Sequence, residues 1–374
     1  MLCNVYVVYI KIMNNENQTI HKFDFNLNWY GWNDKLSQLK QESLYSTLPH
    51  GRISIVHRTC YEVVSENGLF QCELTGNMMY GKSDAELPCT GDWVLFQPFD
   101  ENKGIIVYML PRERTLYRKK SGTVADKQAI ASYVDKAFIV QSLDDNFNVR
   151  RVERFMVQVL EENIKPVLVL NKSDLDFDRQ SVEEQINHIS NQIPVFFTSI
   201  HQPQTILRLR ESISEGETVV FVGSSGVGKS SLVNALCEKP VLLTSDISLS
   251  TGKGRHTSTR REMVLMDSSG VLIDTPGVRE FGLAIDNPDS LAEVLEISDY
   301  AELCRFKDCK HINEPGRAVL EAVNSGVLDY KVYASYLKLR REAWHFSASE
   351  HEKRKKEKSF TKLVEEVKNR KANR

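Results

Sequence analysis

Between Gly223 and Ser230 the chain reads GSSGVGKS, a glycine-rich turn that ends in a lysine and a serine. The β-type run TVVFV precedes it and the helix-forming SLVNALC follows, the setting in which such a loop turns its N–H groups towards a phosphate chain. Gly223 and Gly228 free the backbone for that turn. Lys229 belongs along the β- and γ-phosphates, and the Ser230 hydroxyl belongs on Mg²⁺. Gly223, Ser224, Ser225, Gly226, Val227, Gly228, Lys229, Ser230 and Ser231 are therefore the expected phosphate-binding residues. Further on, VLIDTPG ends a strand in Asp274, which would hold Mg²⁺ through water, and then reaches Gly277, whose N–H meets a γ-phosphate.

Some 50 residues before the phosphate loop lies NKSD, Asn171 to Asp174, directly after the apolar run PVLVL. A carboxylate accepts two hydrogen bonds from guanine's ring N–H and exocyclic amine, a donor pair that adenine lacks. An unpaired buried polar group costs about 1–3 kcal/mol, which sets the sign of the discrimination. Asp174 is thus the base selector, Asn171 braces the loops, Lys172 lies across the ring and Ser173 completes the loop. FFTSI supplies Ser199 as a second base-contacting residue, so the expected nucleotide is GTP.

The segment STGKGRHTSTRRE between the phosphate loop and Asp274 is rich in Gly, Ser and Thr. It reads either as a plain flexible loop or as a switch in which Thr257, or next Thr259, closes on Mg²⁺ when a γ-phosphate is present. Val278 follows Gly277, where Ras-like enzymes carry a glutamine that orients the attacking water. Valine cannot do that, and His256 is the nearest polar candidate. The expected catalytic set is His256, Lys229 and Thr257, with Mg²⁺ on Ser230, Thr257 and Asp274.

The elements that must position these residues follow from local pattern. Residues 1–47 read as a leader with one short amphipathic helix through Trp32, Leu36 and Leu39, and residues 1–12 as an upstream extension. Over 48–115, the runs RISIVHRTCYEVV, GLFQCELTG, GDWVLFQP and KGIIVYMLP are short strands between turn residues. They fit a small OB-type barrel that binds RNA, or one that only packs on its neighbour. Over 116–286 strand and helix alternate (KAFIVQS, a helix from Arg151 to Asn163, PVLVLNK, IPVFFTS, ETVVFVG, GVLIDTPG), giving an α/β domain with a mostly parallel sheet. Residues 287–374 read as a helical domain with a basic tail.

Composition narrows the class. The 374 residues carry 48 Lys+Arg against 50 Asp+Glu, so no global charge draws the chain to a polyanion. Charge is instead local: PRERTLYRKK, and a tail from His351 with ten Lys/Arg against four Asp/Glu, either solvated surfaces or nucleic-acid contacts. No run approaches the ~20 apolar residues of a membrane span. The seven scattered cysteines suit a reducing cytoplasm, and the apolar start MLCNVYVVYI lacks the features of a signal peptide.

The motif order (base reader, base loop, phosphate loop, switch threonine, DTPG) is a circular permutation of the usual GTPase order. Domain termini often lie close together, so such a rearrangement leaves a sheet intact. Together with GDWV, MLPR, GKGRHTSTR, LIDTPGVREFGL, CRFKDCKHINEPG and SYLKLRRE, this order resembles the RsgA (YjeQ) family of small-ribosomal-subunit biogenesis GTPases. The resemblance runs from about Trp32 to the tail. It implies a multidomain α/β fold: an N-terminal OB-type β-barrel, a circularly permuted P-loop GTPase domain and a small α-helical C-terminal domain. It also implies a cytoplasmic GTP hydrolase whose partner is the small ribosomal subunit and its rRNA, with no membrane and acting as a monomer, and it assigns hydrolysis to His256. The rival readings are a non-enzymatic GTP-dependent RNA-binding switch and an assembly GTPase for another ribonucleoprotein.

Cys304, Cys309 and His311 have a spacing that suits zinc. The family pattern places a fourth ligand, a cysteine, where this chain has Arg317, and a guanidinium cannot ligate a metal. Either another group completes a Zn²⁺ site, or the domain is metal-free with both cysteines packed as small apolar side chains.

Overall fold

The computed structural model describes residues 26–119, 127–238, 240–242, 262–267, 270–275, 291–292, 295, 297–305, 309 and 318–347. His256, Thr257, Gly277, His311, Arg317 and the basic tail lie outside the described residues, as does the segment before residue 26. The chain divides into two compact units, one holding the described residues up to Thr275 and the other those from Leu291 onward.

In the first unit, β1 (His50–Val56), β2 (Tyr61–Ser65), β3 (Gly68–Leu74), β4 (Trp93–Asp100) and β5 (Lys103–Met109) pair in the order β1-β2-β3-β5-β4. A β1–β4 pairing closes them into a barrel. Every second residue points inward, so Ile53, Val63, Phe70, Cys72, Val94, Phe96 and Ile106 fill the interior. This closed five-stranded order is that of an OB barrel. The amphipathic helix runs Asp34–Glu42, capped by Asn33, whose Oδ1 accepts from the Leu36 N–H. Trp32 falls just before the helix rather than on its face, and its ring lies 3.9 Å from that of His50.

Two residues of the basic run are structural rather than solvated. Arg112 forks onto Asp92, Nε to Oδ1 at 2.9 Å and Nη2 to Oδ2 at 2.7 Å, and also donates to the carbonyls of Ala85 and Leu87. The motifs GDWV and MLPR are thus two halves of one latch. Arg114 pairs with Asp135 at 3.0 Å. The run then continues as β6 (Leu116–Lys119), which pairs with β7 (Lys127–Ala131).

Next come β8 (Lys136–Ser142), β9 (Lys165–Asn171), β10 (Val195–Thr198), β11 (Thr218–Val222), β12 (Glu262–Leu265) and β13 (Val271–Asp274). The order β10-β9-β8-β11-β13 is parallel throughout, and β12 is antiparallel to β13. Each parallel strand is a near-continuous apolar run because both faces are covered. Phe138, Val140, Val219 and Phe221 meet Leu209, Leu232 and Leu236 from the helices Pro203–Glu211 and Lys229–Leu236. The helix Val149–Glu161 packs on β8 and β9 and starts two residues earlier than its pattern suggests, because Asn148 caps it. Ile55 of β1 pairs with Glu262 of β12, so the barrel and the α/β layer share one eleven-stranded sheet.

The second unit contains the helices Ser298–Glu302, Ala318–Asn324 and Tyr330–Ser347, the first packed on the second. No described helix is long and apolar enough to cross a membrane.

Candidate nucleotide-binding site

Because β8, β9, β10, β11 and β13 are parallel, their carboxyl ends lie along one edge of the sheet, where open α/β folds bind ligands. That edge carries Ser142, Asn171, Thr198, Val222 and Asp274 as the last residues of their strands. NKSD, FFTSI, the phosphate loop and DTPG all leave the sheet there.

The phosphate loop is built by close contact. Gly223 has φ 153°, and a Cβ there would lie 2.4 Å from the Val140 carbonyl oxygen. Gly228 has φ 92°, and its Cβ would strike Asn171 Nδ2 at 2.4 Å. No other residue type fits either place. Asn171 is buried and donates from Nδ2 to the Val227 carbonyl at 2.8 Å, while its Oδ1 accepts from Thr198 Oγ1 at 3.3 Å. Lys229 Nζ donates to the carbonyls of Gly223 and Ser224, both at 2.9 Å. No side chain caps the helix that starts at Lys229, so its first N–H groups stay available to an anion. Desolvation pulls the Lys229 ammonium below its ordinary range, opposed by the Asp274 carboxylate.

Ser230 Oγ donates to Asp274 Oδ2 at 2.7 Å. Asp274 is buried, its Oδ1 has no hydrogen-bond partner among the described residues, and burial pushes its carboxyl above the usual range. Thr275 Oγ1 donates to the Phe221 carbonyl at 2.6 Å and pins the start of DTPG to β11.

At the base end, Ser199 Oγ donates to Asp174 Oδ1 at 2.5 Å, and this bond holds the Asp174 carboxyl below its usual range. Ser173 N–H donates to the Thr198 carbonyl at 3.0 Å, fastening the NKSD loop to β10. Thr205 Oγ1 accepts from the Ser199 N–H at 3.0 Å. Lys172, with φ 62°, sends Nζ to Asp144 Oδ2 at 2.8 Å. Ser225 and Gly226 are exposed at the tip of the phosphate loop, and Ser231 lies in the first turn of the helix.

Sequence reading missed Asp144, Asn146 and Arg151. Asn146 Nδ2 donates to Ser224 Oγ at 3.3 Å, and Arg151 Nη1 donates to the same oxygen at 3.1 Å. The usable signal was the dense Asp/Asn run SLDDNFNVR directly after a central strand.

The Cys/His cluster is only partly described. Cys304 Sγ donates to the Tyr300 carbonyl at 3.7 Å, and Cys309 is buried. Among the described residues no three His, Cys, Asp or Glu side chains gather to hold a metal ion.

A model of the RsgA GTPase family matches residues 109–284. An ABC transporter model matches residues 206–368 and shares with it the phosphate loop, a motif common to unrelated nucleotide-binding proteins. The small ribosomal subunit biogenesis GTPase RsgA 1 of Bacteroides thetaiotaomicron is 77% identical over 96% of this chain and all of its own length. The RsgA of Leptospira interrogans is 35% identical over 90% of this chain and 95% of its own. The crystal structure of YjeQ from Thermotoga maritima superposes with a TM-score of 0.58 at 26% identity, over 79% of this chain and 98% of that one. YloQ, a circularly permuted GTPase, shares the fold with a TM-score of 0.59 at 23% identity, over 81% of this chain and 97% of its own. With base reader preceding phosphate loop along one sheet edge and near-full-length identity to curated relatives, this chain belongs to the RsgA family of circularly permuted GTPases.

Proposed function

We propose that the chain hydrolyses GTP to GDP and phosphate while bound to the maturing small ribosomal subunit. The observation that carries this reading is Asn171, whose one side chain bonds the phosphate loop at Val227 and the base-loop strand at Thr198. Guanine recognition and phosphate binding thereby share one frame. Asp174 reads the base, with Ser199 orienting its carboxylate. Lys229 exchanges its two loop carbonyls for phosphate oxygens, and the loop N–H groups from Ser224 to Ser231 surround the charge.

The donor set also fits Mg²⁺. Ser230 Oγ and Asp274 are hard oxygen donors in contact, and Asp274 Oδ1 is buried without a partner among the described residues. When bound, the ion would offset phosphate charge as the bond to the γ-phosphoryl group breaks. Thr257 and Gly277 would close on the γ-phosphate, and His256 would orient the attacking water, on the family resemblance.

The relatives' names supply the partner, the small ribosomal subunit. The barrel and the basic tail are the proposed rRNA contacts, in a monomer of the cytoplasm. Zinc is a separate matter. Cys304, Cys309 and His311 would supply three ligands, and Arg317 cannot supply a fourth. The deciding experiment is multiple-turnover GTP hydrolysis alone and with each purified ribosomal subunit. Stimulation by the small subunit alone is expected. Stimulation by the large subunit, or by neither, would overturn the assignment.

A further inference from the structure

The strand order β9-β8-β11 puts β8 between the strand that carries NKSD and the strand that carries the phosphate loop. Ser142, the last residue of β8, is in register with Asn171 of β9. The loop that leaves β8 must therefore rise between the two halves of the nucleotide site.

Its side chains, joined at one point by the Asn146 main-chain N–H, form a continuous polar chain across that gap. Asp144 takes Lys172 Nζ on Oδ2 at 2.8 Å. Its Oδ1 is fixed by Ser142 Oγ at 2.6 Å and by the Asn146 N–H at 3.0 Å. Asn146 accepts from Arg151 Nη1 at 3.1 Å on Oδ1 and donates to Ser224 Oγ at 3.3 Å. Arg151 reaches the same Ser224 oxygen at 3.1 Å. Partial burial raises the Asp144 carboxyl, but the bonds from Lys172, Ser142 and the Asn146 N–H outweigh it and hold the group ionised. None of these three residues belongs to a nucleotide motif, yet each holds one that does.

We propose that Asp144, through Asn146 and Arg151, is a positioning residue that ties Lys172 at the base to Ser224 at the phosphates and so sets how long guanine nucleotide stays bound. This rests on the GTP-site reading above. A lysine left free in water samples many rotamers, and fixing it before the nucleotide arrives removes that ordering cost from binding. Because the chain links both ends of the ligand, its loss acts mainly on release rather than on capture.

The test is release of fluorescent methylanthraniloyl-GDP from the full chain by stopped flow, for Asp144→Asn, Lys172→Ala and the double variant. Asp144→Asn keeps the shape of the side chain and removes its charge. About tenfold faster release is expected for each single variant, with the double variant no faster than the faster single one, since residues acting as one unit are not additive. Unchanged release in Asp144→Asn, or effects that multiply in the double variant, would overturn the proposal. Where Asp144→Asn lowers the melting temperature without nucleotide, the double variant Asn146→Ala/Arg151→Gln is measured instead. It removes both side chains that bond Ser224 Oγ while leaving Asp144 and Lys172 in place, and release as slow as the parent's would sink the idea. Lys229→Ala serves as the control for the site itself: full GDP affinity there would show the phosphate loop to be misread, a failure separate from that of Asp144.

Discussion

Arg52 of β1 donates from Nη1 to Thr218 Oγ1, the first residue of β11, at 2.9 Å. The guanidinium is fully buried, 5.5 Å from the Trp93 ring centre, and also reaches the carbonyls of Tyr30, Gly91, Ser132 and Tyr133. One barrel side chain thus holds the strand that leads into the phosphate loop. Arg52→Met would leave these acceptors buried and unpaired, at about 3 kcal/mol or more. The expected result in urea melts is a lower midpoint. Arg52→Lys should recover little, because an ammonium cannot span the same fork. A parent-like midpoint for Arg52→Met would contradict the role.

Asp174→Asn should weaken GTP by roughly 5- to 150-fold, as about 1–3 kcal/mol of lost base pairing implies. Xanthosine triphosphate, whose base edge suits an amide, should gain. Competition binding with the two nucleotides checks this, and an unaltered preference would misplace the base site.

Asp274 carries a buried carboxylate that folding raises above its free pKa. A raised acid stabilises the fold at low pH and withdraws that stability as pH climbs through the folded value. The nucleotide-free protein at neutral pH therefore bears a cost that Asp274→Asn removes. We expect Asp274→Asn to melt at a higher temperature than the parent at pH 7. The gain should vanish below the carboxylate range, and Mg²⁺-dependent GTP binding should be lost. A lower melting point at pH 7 would argue against a destabilising charge at this position.

His256→Ala should spare GTP affinity and lower kcat and kcat/KM together, the pattern of a contact made only in the transition state. Lys229→Ala should instead impair binding itself. Subunit-stimulated turnover that is unchanged in His256→Ala would remove that residue from the mechanism.

Metal analysis should find less than one zinc per chain, or zinc that a chelator strips readily, because metal binding contributes directly to folding free energy and three ligands leave a gap. Arg317→Cys should raise both occupancy and melting temperature. One tightly held zinc in the parent, unaffected by the substitution, would mean that a different group closes the site.

The nucleotide loops were legible in sequence because their chemistry fixes residue type at short spacing. Only glycine fits beside Val140 and Asn171, and the tasks of Lys229 and Ser230 call for a lysine followed by a serine or threonine hydroxyl. The parallel strands were legible as unbroken apolar runs. Arg112 was not legible as a latch, because its partner Asp92 lies twenty residues away and a basic run looks the same whether it is solvated or paired. Asp144 and Asn146 were not legible as site residues, because Asp and Asn after a strand are common turn formers. Only the position of β8 between β9 and β11 gives them another task. Arg52 falls on a polar position of its strand's alternation, which reads as exposed although the side chain is buried, and its acceptors come from four distant segments that no local pattern connects.

The pairing of Ile55 with Glu262 sets a schedule for synthesis. The five barrel strands have all been made once Met109 is joined, yet β1 keeps a bare stretch of backbone until residue 262 follows. Translation at about 5–20 residues per second leaves that stretch open for roughly 8–30 seconds. Pairing across so long a separation is slow to form, and an unpaired strand invites contact with other chains. A nascent chain of this protein should therefore be most prone to aggregation, and most dependent on chaperones, between closure of the barrel and arrival of β12.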